Sequence, residues 1–240
     1  MTPIGRRVSY QDGARLLEGY LASPLAAERC PGVVLAPAWL NVTESMCRRA
    51  DRLAVLGYAA LVLDIFGAGT RPGPPQHPRD VVSPFMIDRK AFRRRLSAGL
   101  EAMRNQAECD SDNVAAVGYC LGGCGVLELA RSGEALRGVV SVHGDLSAPL
   151  PAQPGEIQAR VLVLHGDADP VVPFDSLVVF REEMRRAGAD WQVHLYSDAK
   201  HSFSGEGAVA GETPGAALHP RAEARSWSAT LGFLEEVLKS

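Results

Sequence analysis

The chain of 240 residues is 46% hydrophobic and 22% charged, with no Ser/Gly-rich or Pro-rich linker, which suits one large α/β domain spanning residues 1–240. A formal net charge of -3 leaves no electrostatic footprint for nucleic acid; residues 1–10 lack an apolar leader, and no stretch approaches the ~18 apolar residues of a membrane span, so a cytoplasmic protein is expected. The five cysteines, Cys30, Cys47, Cys109, Cys120 and Cys124, are odd in number and form no C-x-x-C pair, which argues against a disulfide framework or a zinc site.

In chain order, Val8 and Tyr10, then Leu16 and Leu21, flank an Asp12-Gly13 turn, which predicts an N-terminal hairpin at a sheet edge. Continuous apolar runs at residues 32–36, 59–63, 114–117, 139–142 and 161–164 read as strands buried on both faces. Helical spacing fills the intervals. It relates Met46, Ala50, Leu53 and Ala54, then Phe92, Leu96, Leu100 and Met103, and near the C-terminus Trp227, Leu231, Leu234 and Leu238. The run Arg93, Arg94, Arg95 falls on the second of these helices and reads as a solvated face. The alternation predicts a mostly parallel, doubly wound α/β sheet with helices on both faces.

In such sheets chemistry collects beyond the carboxyl ends of the strands. The polar residues there are Trp39 and Asn41, Asp64, Cys120, His143, and Asp167 with Asp169; His201 follows the last strand-like stretch, residues 191–196. Residues 67–84, rich in Pro and Gly, read as a long loop over this edge that forms part of a lid.

Within Val117-Gly118-Tyr119-Cys120-Leu121-Gly122-Gly123, an apolar strand leads in and a helix leads out, which is the setting of a nucleophile elbow. The order cysteine, aspartate, histidine then matches the chain order of an α/β-hydrolase triad. Three strings together, Gly118-Tyr119-Cys120-Leu121-Gly122-Gly123, His165-Gly166-Asp167-Ala168-Asp169-Pro170-Val171-Val172-Pro173 and Lys200-His201-Ser202-Phe203, resemble the dienelactone hydrolase family over residues 31–234. The resemblance implies the α/β-hydrolase fold and a triad of Cys120, His201 and an aspartate. Either Asp167 or Asp169 fits the order; the family pattern, with the acid shortly before a Val-Pro pair, favours Asp169.

The resemblance further implies an oxyanion hole from the backbone N–H groups of Leu121 and Trp39, and cleavage of a small-molecule carboxylic ester or lactone through an acyl-cysteine. No cofactor or metal is implied. Pocket walls are expected from Trp39, Leu40, Phe66, Phe85, Met86 and Phe203, with His143 near the site. Two family features are missing: Ala38 stands where the family has a glutamate, and Ser204-Gly205-Glu206 occupies the place of a carboxylate-binding arginine, for which Arg71 or Arg89 is the substitute. These absences keep two other readings in play. One is an acyltransferase, cyclase or elimination enzyme using the same site; the other is a binding protein that retains the fold without turnover.

Overall fold

A computed structural model describes residues 4–25, 29–209 and 213–239. The N-terminal hairpin pairs β1 (Ile4–Asp12) with β2 (Arg15–Ser23), from Ile4 opposite Ser23 to Asp12 opposite Arg15. The remaining strands are β3 (Cys30–Ala36), β4 (Ala59–Val62), β5 (Cys109–Tyr119), β6 (Gly138–Val142), β7 (Arg160–Gly166) and β8 (Trp191–Tyr196). They form one eight-stranded sheet in the order β1-β2-β4-β3-β5-β6-β7-β8. Only the β1/β2 and β2/β4 pairs are antiparallel; from β4 to β8 all pairs are parallel.

The helices are α1 (Glu44–Val55), α2 (Pro78–Ile87), α3 (Arg89–Arg104), α4 (Leu121–Arg131), α5 (Asp175–Ala187) and α6 (Pro220–Leu238). Alternate residues of each central strand feed opposite layers, as the pleat requires. Val34, Ala116, Val139 and Val163 pack with Leu96, Leu100, Leu127 and Phe180 of α3, α4 and α5. Val33, Val117, Val140 and Leu162 pack with Met46, Leu53, Trp227 and Leu234 of α1 and α6. β5 is therefore apolar on both faces where it is buried, while its polar start, Cys109 to Asn113, extends the strand beyond the run seen in the sequence.

Two expectations are corrected. The end of the supposed long loop, residues 67–84, is already helical: His77 caps α2, accepting from the Arg79 N–H at 3.2 Å, with Pro78 in the first turn. No α2 residue is fully buried, but Val82, Phe85 and Met86 form a short apolar stripe at helical spacing that packs half-buried against the core. Nor is the arginine run a solvated face, because Arg93 pairs with Glu128 at 2.8 Å and Arg95 with Asp12 at 2.8 Å, leaving Arg94 exposed.

Candidate active site

β5 ends at Tyr119 and α4 begins at Leu121, so the change of direction falls on Cys120, whose φ of 53° and ψ of −112° lie outside the regions ordinary side-chain-bearing residues occupy. A Cβ on Gly118 would stand 2.0 Å from the Gly122 carbonyl oxygen, and one on Gly122 2.0 Å from that of Ala36, so only glycine lets strand, turn and helix approach this closely. Backbone bonds pin the turn: Cys120 N–H donates to the Val142 carbonyl at 3.0 Å and Gly122 N–H to that of Pro37 at 3.1 Å. The half-buried thiol is a free one.

His201, beyond β8, places Nε2 3.2 Å from Cys120 Sγ and Nδ1 2.9 Å from Asp169 Oδ2. The other oxygen of Asp169, Oδ1, accepts from Val171 N–H at 2.8 Å and Val172 N–H at 3.0 Å, which fixes the carboxylate in the turn after β7. Burial by itself raises the proton affinity of Asp169, but the hydrogen bond and charge of His201, with these two amides, hold it below its ordinary range. For His201, burial pushes the pKa down. Negative charge at Cys120, together with the bonds to Asp169 and Cys120, outweighs it and raises the pKa to about 10. Asp167 lies exposed two residues before Asp169, on the solvent side of the turn.

The backbone N–H groups of Trp39 and Leu121 donate to no described residue. The Gly122-to-Pro37 bond ties the β3 loop carrying Trp39 to the first turn of α4, which begins at Leu121. Trp39 is anchored through its indole, Nε1 donating to the Gly207 carbonyl at 2.9 Å. Both N–H groups thus belong to segments fastened to one another beside the sulfur.

Two cavities meet Cys120 and His201. The larger, of about 410 Å³, is walled by Trp39, Val82, Val171, Pro214 and Ala216, with His77, Arg79, Ser202 and Thr213 as polar members. The smaller, of about 290 Å³, includes Met86, Leu121, Cys124 and Asp145. Phe66, Phe85, Arg71, His143 and Phe203, expected around the substrate, line neither. Phe66 stacks on Phe85, and Phe85 on Phe92, at 5.4 and 5.1 Å, where they fasten α2 to α3. Arg71 is exposed and donates to the Thr70 carbonyl. Phe203 is fully buried against Tyr196 and His143.

His143 is also fully buried, its Nε2 2.7 Å from Ser204 Oγ. Burial first, and then the His201 charge, hold its pKa well below 6.5. Nearby, Glu206 is taken up by Arg49 at 2.8 Å and Ser45 at 2.7 Å, while exposed Glu44 pairs with Arg48. Asn41 and Asp64, also flagged at strand ends, prove structural: Asn41 Nδ2 donates to Asp64 Oδ1 at 2.7 Å, and Asp64 accepts the N–H groups of Glu18, Phe66 and Gly67. The residues that sequence reading missed, His77, Arg79, Val82 and Thr213, sit on α2 and on the segment before α6, where no strand end marks them.

Among the described residues no group of three or more His, Cys, Asp or Glu is arranged to hold a metal ion, and no helix is long and apolar enough to cross a membrane.

The sequence profile of the dienelactone hydrolase family matches residues 17–238. A solved structure named m3DLH is 38% identical and superposes with a TM-score of 0.92, covering 99% of this chain and 100% of that one. A dienelactone hydrolase-like promiscuous phosphotriesterase from metagenomic libraries is 35% identical with a TM-score of 0.90, covering 99% of each chain. The carboxymethylenebutenolidase of Pseudomonas putida is 30% identical over 193 residues, 78% of this chain and 80% of that protein. With the elbow on β5, the sheet order and this match in hand, the chain belongs to the dienelactone hydrolase family of ester- and lactone-cleaving α/β-hydrolases.

Proposed function

We propose that the protein hydrolyses a small carboxylic ester or lactone through an acyl-cysteine intermediate on Cys120, with His201 as acid and base and Asp169 as its orienting carboxylate. One observation carries the reading: His201 bridges Cys120 Sγ at 3.2 Å and Asp169 Oδ2 at 2.9 Å. The carboxylate holds Nδ1–H in place and stabilises the imidazolium once Nε2 has taken the thiol proton. The sulfur attacks the carbonyl carbon, and the electron pair moves to the oxygen, where the N–H groups of Trp39 and Leu121 offer two donors. Collapse breaks the bond to the alcohol oxygen, which takes the proton from His201. Water then gives a proton to His201 and attacks the thioester, and the sulfur leaves to be reprotonated.

The substrate reading follows from the larger cavity. Its walls are mostly apolar, which suits a partly apolar acyl or alcohol group, and Arg79 with His77 at its rim suits an acidic or strongly polar end. Several relatives bear lactonase or butenolidase names, and a lactone places both arms of the ester in one ring, within the reach of such a cavity.

The test is hydrolysis of a panel of lactones, aryl esters and thioesters, with an aryl phosphotriester included, by the wild type and Cys120→Ala. Quenched reactions should give a mass adduct equal to the acyl group on Cys120, and reaction in oxygen-18 water should place solvent oxygen in the acid. Turnover without label in the product would replace hydrolysis by transfer to an internal hydroxyl or amine.

A further inference from the structure

The smaller cavity beside Cys120 holds a polar group that the chemistry above leaves unused, Asp145. β6 ends at Val142, and the following residues fold back over the first turn of α4. Gly144 sits so close there that a Cβ would stand 2.5 Å from the Gly123 carbonyl carbon. That approach sets Asp145 in one cavity with Cys120, Met86 and Cys124.

Arg89 completes the construction. It is 3% exposed and donates from Nη2 to Asp145 Oδ2 at 3.0 Å and to Ser147 Oγ at 3.0 Å, and from Nη1 to Met86 Sδ at 3.4 Å and to Cys124 Sγ. Asp145, Met86 and Cys124 are thus tied to one buried guanidinium whose charge offsets that of the carboxylate. Arg89, a sequence candidate for holding a substrate carboxylate, is already committed to the protein's own.

The two oxygens of Asp145 differ. Oδ2 takes both Arg89 and the Ser147 hydroxyl, whereas Oδ1 takes, among the described residues, only the Ser147 N–H at 3.3 Å. A carboxylate oxygen accepts about two hydrogen bonds, so Oδ1 keeps acceptor capacity in a side chain that is 30% exposed.

We propose that the smaller cavity is a substrate subsite in which Asp145 accepts a hydrogen bond from a hydroxyl group on one arm of the ester. The proposal rests on the hydrolase reading and adds a substrate class to it. A plain hydrocarbon arm would strip water from Asp145 without replacing its bond, and a carboxylate arm would meet a like charge. A cation is not demanded, since Arg89 already neutralises the site. A neutral donor satisfies the free acceptor at no charge cost, and buried or half-buried acceptors of this kind discriminate well between a substrate that has the donor and one that lacks it.

The experiment compares kcat/KM for 3-hydroxypropyl butyrate against 3-methoxypropyl butyrate, and for 4-nitrophenyl 6-hydroxyhexanoate against its 6-methoxy counterpart, offering the donor on either arm. One pair should favour the hydroxyl by about tenfold, the size of one hydrogen bond to a partly solvated charged acceptor. In Asp145→Ala that ratio should collapse to about one. Should loss of the Arg89 partner unfold that variant, Asp145→Asn, a weaker acceptor, should still lower the ratio. Hydrolysis of all four esters at ratios near one, or a ratio unmoved by either variant, overturns the subsite while leaving the hydrolase reading standing. Failure of the wild type to hydrolyse any of them overturns the subsite, and failure on the lactone, aryl ester and thioester panel as well overturns both readings.

Discussion

The rings of His143 and His201 stand 5.4 Å apart, edge to face, and their surroundings drive their proton affinities in opposite directions. His201 is held between the Cys120 sulfur and the Asp169 carboxylate. His143 instead meets a serine hydroxyl and the aromatic side chains Tyr119 and Phe203, with no carboxylate bonded to it among the described residues.

The first prediction follows from that contrast. In an NMR titration of the imidazoles, His201 should stay protonated until about pH 10, and Cys120→Ala should lower its midpoint, because charge at Cys120 is the largest of the influences that raise it. His143 should show no titration near 6.5. A midpoint for His201 that is the same with and without the sulfur would show that Cys120 is not what raises its proton affinity.

The same shifts fix the sign of two stability terms. Because the folded-state pKa of His143 lies below 6.5, the unfolded chain binds that proton first, so its contribution is present above about pH 6.5 and is lost as the pH falls. His201 does the reverse: its contribution is complete below 6.5 and is lost as the pH rises toward about 10. Urea midpoints between pH 5 and 6.5 should therefore fall with acidity in the wild type, and less steeply in His143→Phe. Parallel slopes would show that His143 is not the group responsible.

Cys120→Ala should abolish turnover while the protein remains folded, since the elbow geometry does not depend on the thiol. Cys120→Ser should retain only trace activity, as a hydroxyl is a far poorer nucleophile without strong base assistance. Rates close to wild type in the serine variant would mean that the site does not depend on sulfur chemistry.

Asp169→Asn should slow the chemical step, and Asp167→Asn should scarcely change it. Only Asp169 reaches the imidazole, at 2.9 Å, whereas Asp167 is exposed. Loss of the carboxylate costs about ten-thousandfold in a serine triad, and a thiol, which needs less help to lose its proton, should lose less. Pre-steady-state rates of acylation decide it. An Asp167→Asn loss equal to that of Asp169→Asn would falsify the assignment.

How far the sequence carried the site depends on which part of the fold holds each residue. Cys120, Asp169 and His201 lie just beyond strand ends, where a parallel sheet exposes its polar groups, and continuous apolar runs mark those ends plainly. Asn41 and Asp64 share that position and yet serve only to tie loops together, because strand-end placement shows where chemistry can occur and not which residue performs it. The cavity walls were hidden for another reason. His77 and Arg79 are exposed at the start of the helix begun by Pro78, and Thr213, Pro214 and Ala216 lie on a loop, so no periodicity points to them; Val82 does share a helically spaced stripe with Phe85 and Met86, which the Pro- and Gly-rich composition of the segment masked. Phe203 and His143 misled in the opposite sense: the nearness of Phe203 to His201 in sequence, and the place of His143 at a strand end, concealed that both turn into the interior.

The last prediction concerns Arg131, which supports the loop after Asp145 from below. Its guanidinium is 1% exposed and bonds Glu183 through Nε at 2.9 Å and Nη2 at 2.8 Å, Glu128 through Nη1 at 3.0 Å, and the Leu146 and Ser147 carbonyls. Glu128 is 0% exposed and also bonds Arg93 at 2.8 Å. Removing the guanidinium leaves a carboxylate pair short of its cation in the interior, a loss that costs about 3–5 kcal/mol when a buried pair is broken on one side. Arg131→Met should therefore lower the urea midpoint severely. Arg131→Lys should recover little, because a single ammonium cannot reproduce the planar fork that meets two carboxylates and two carbonyls together. Adding Glu183→Leu to Arg131→Met should restore part of the stability by removing the stranded charge. If Arg131→Met unfolds at the wild-type midpoint, the network is not holding this layer of the fold, and the position of Asp145 must be set by Arg89, Ser147 and the close approach at Gly144.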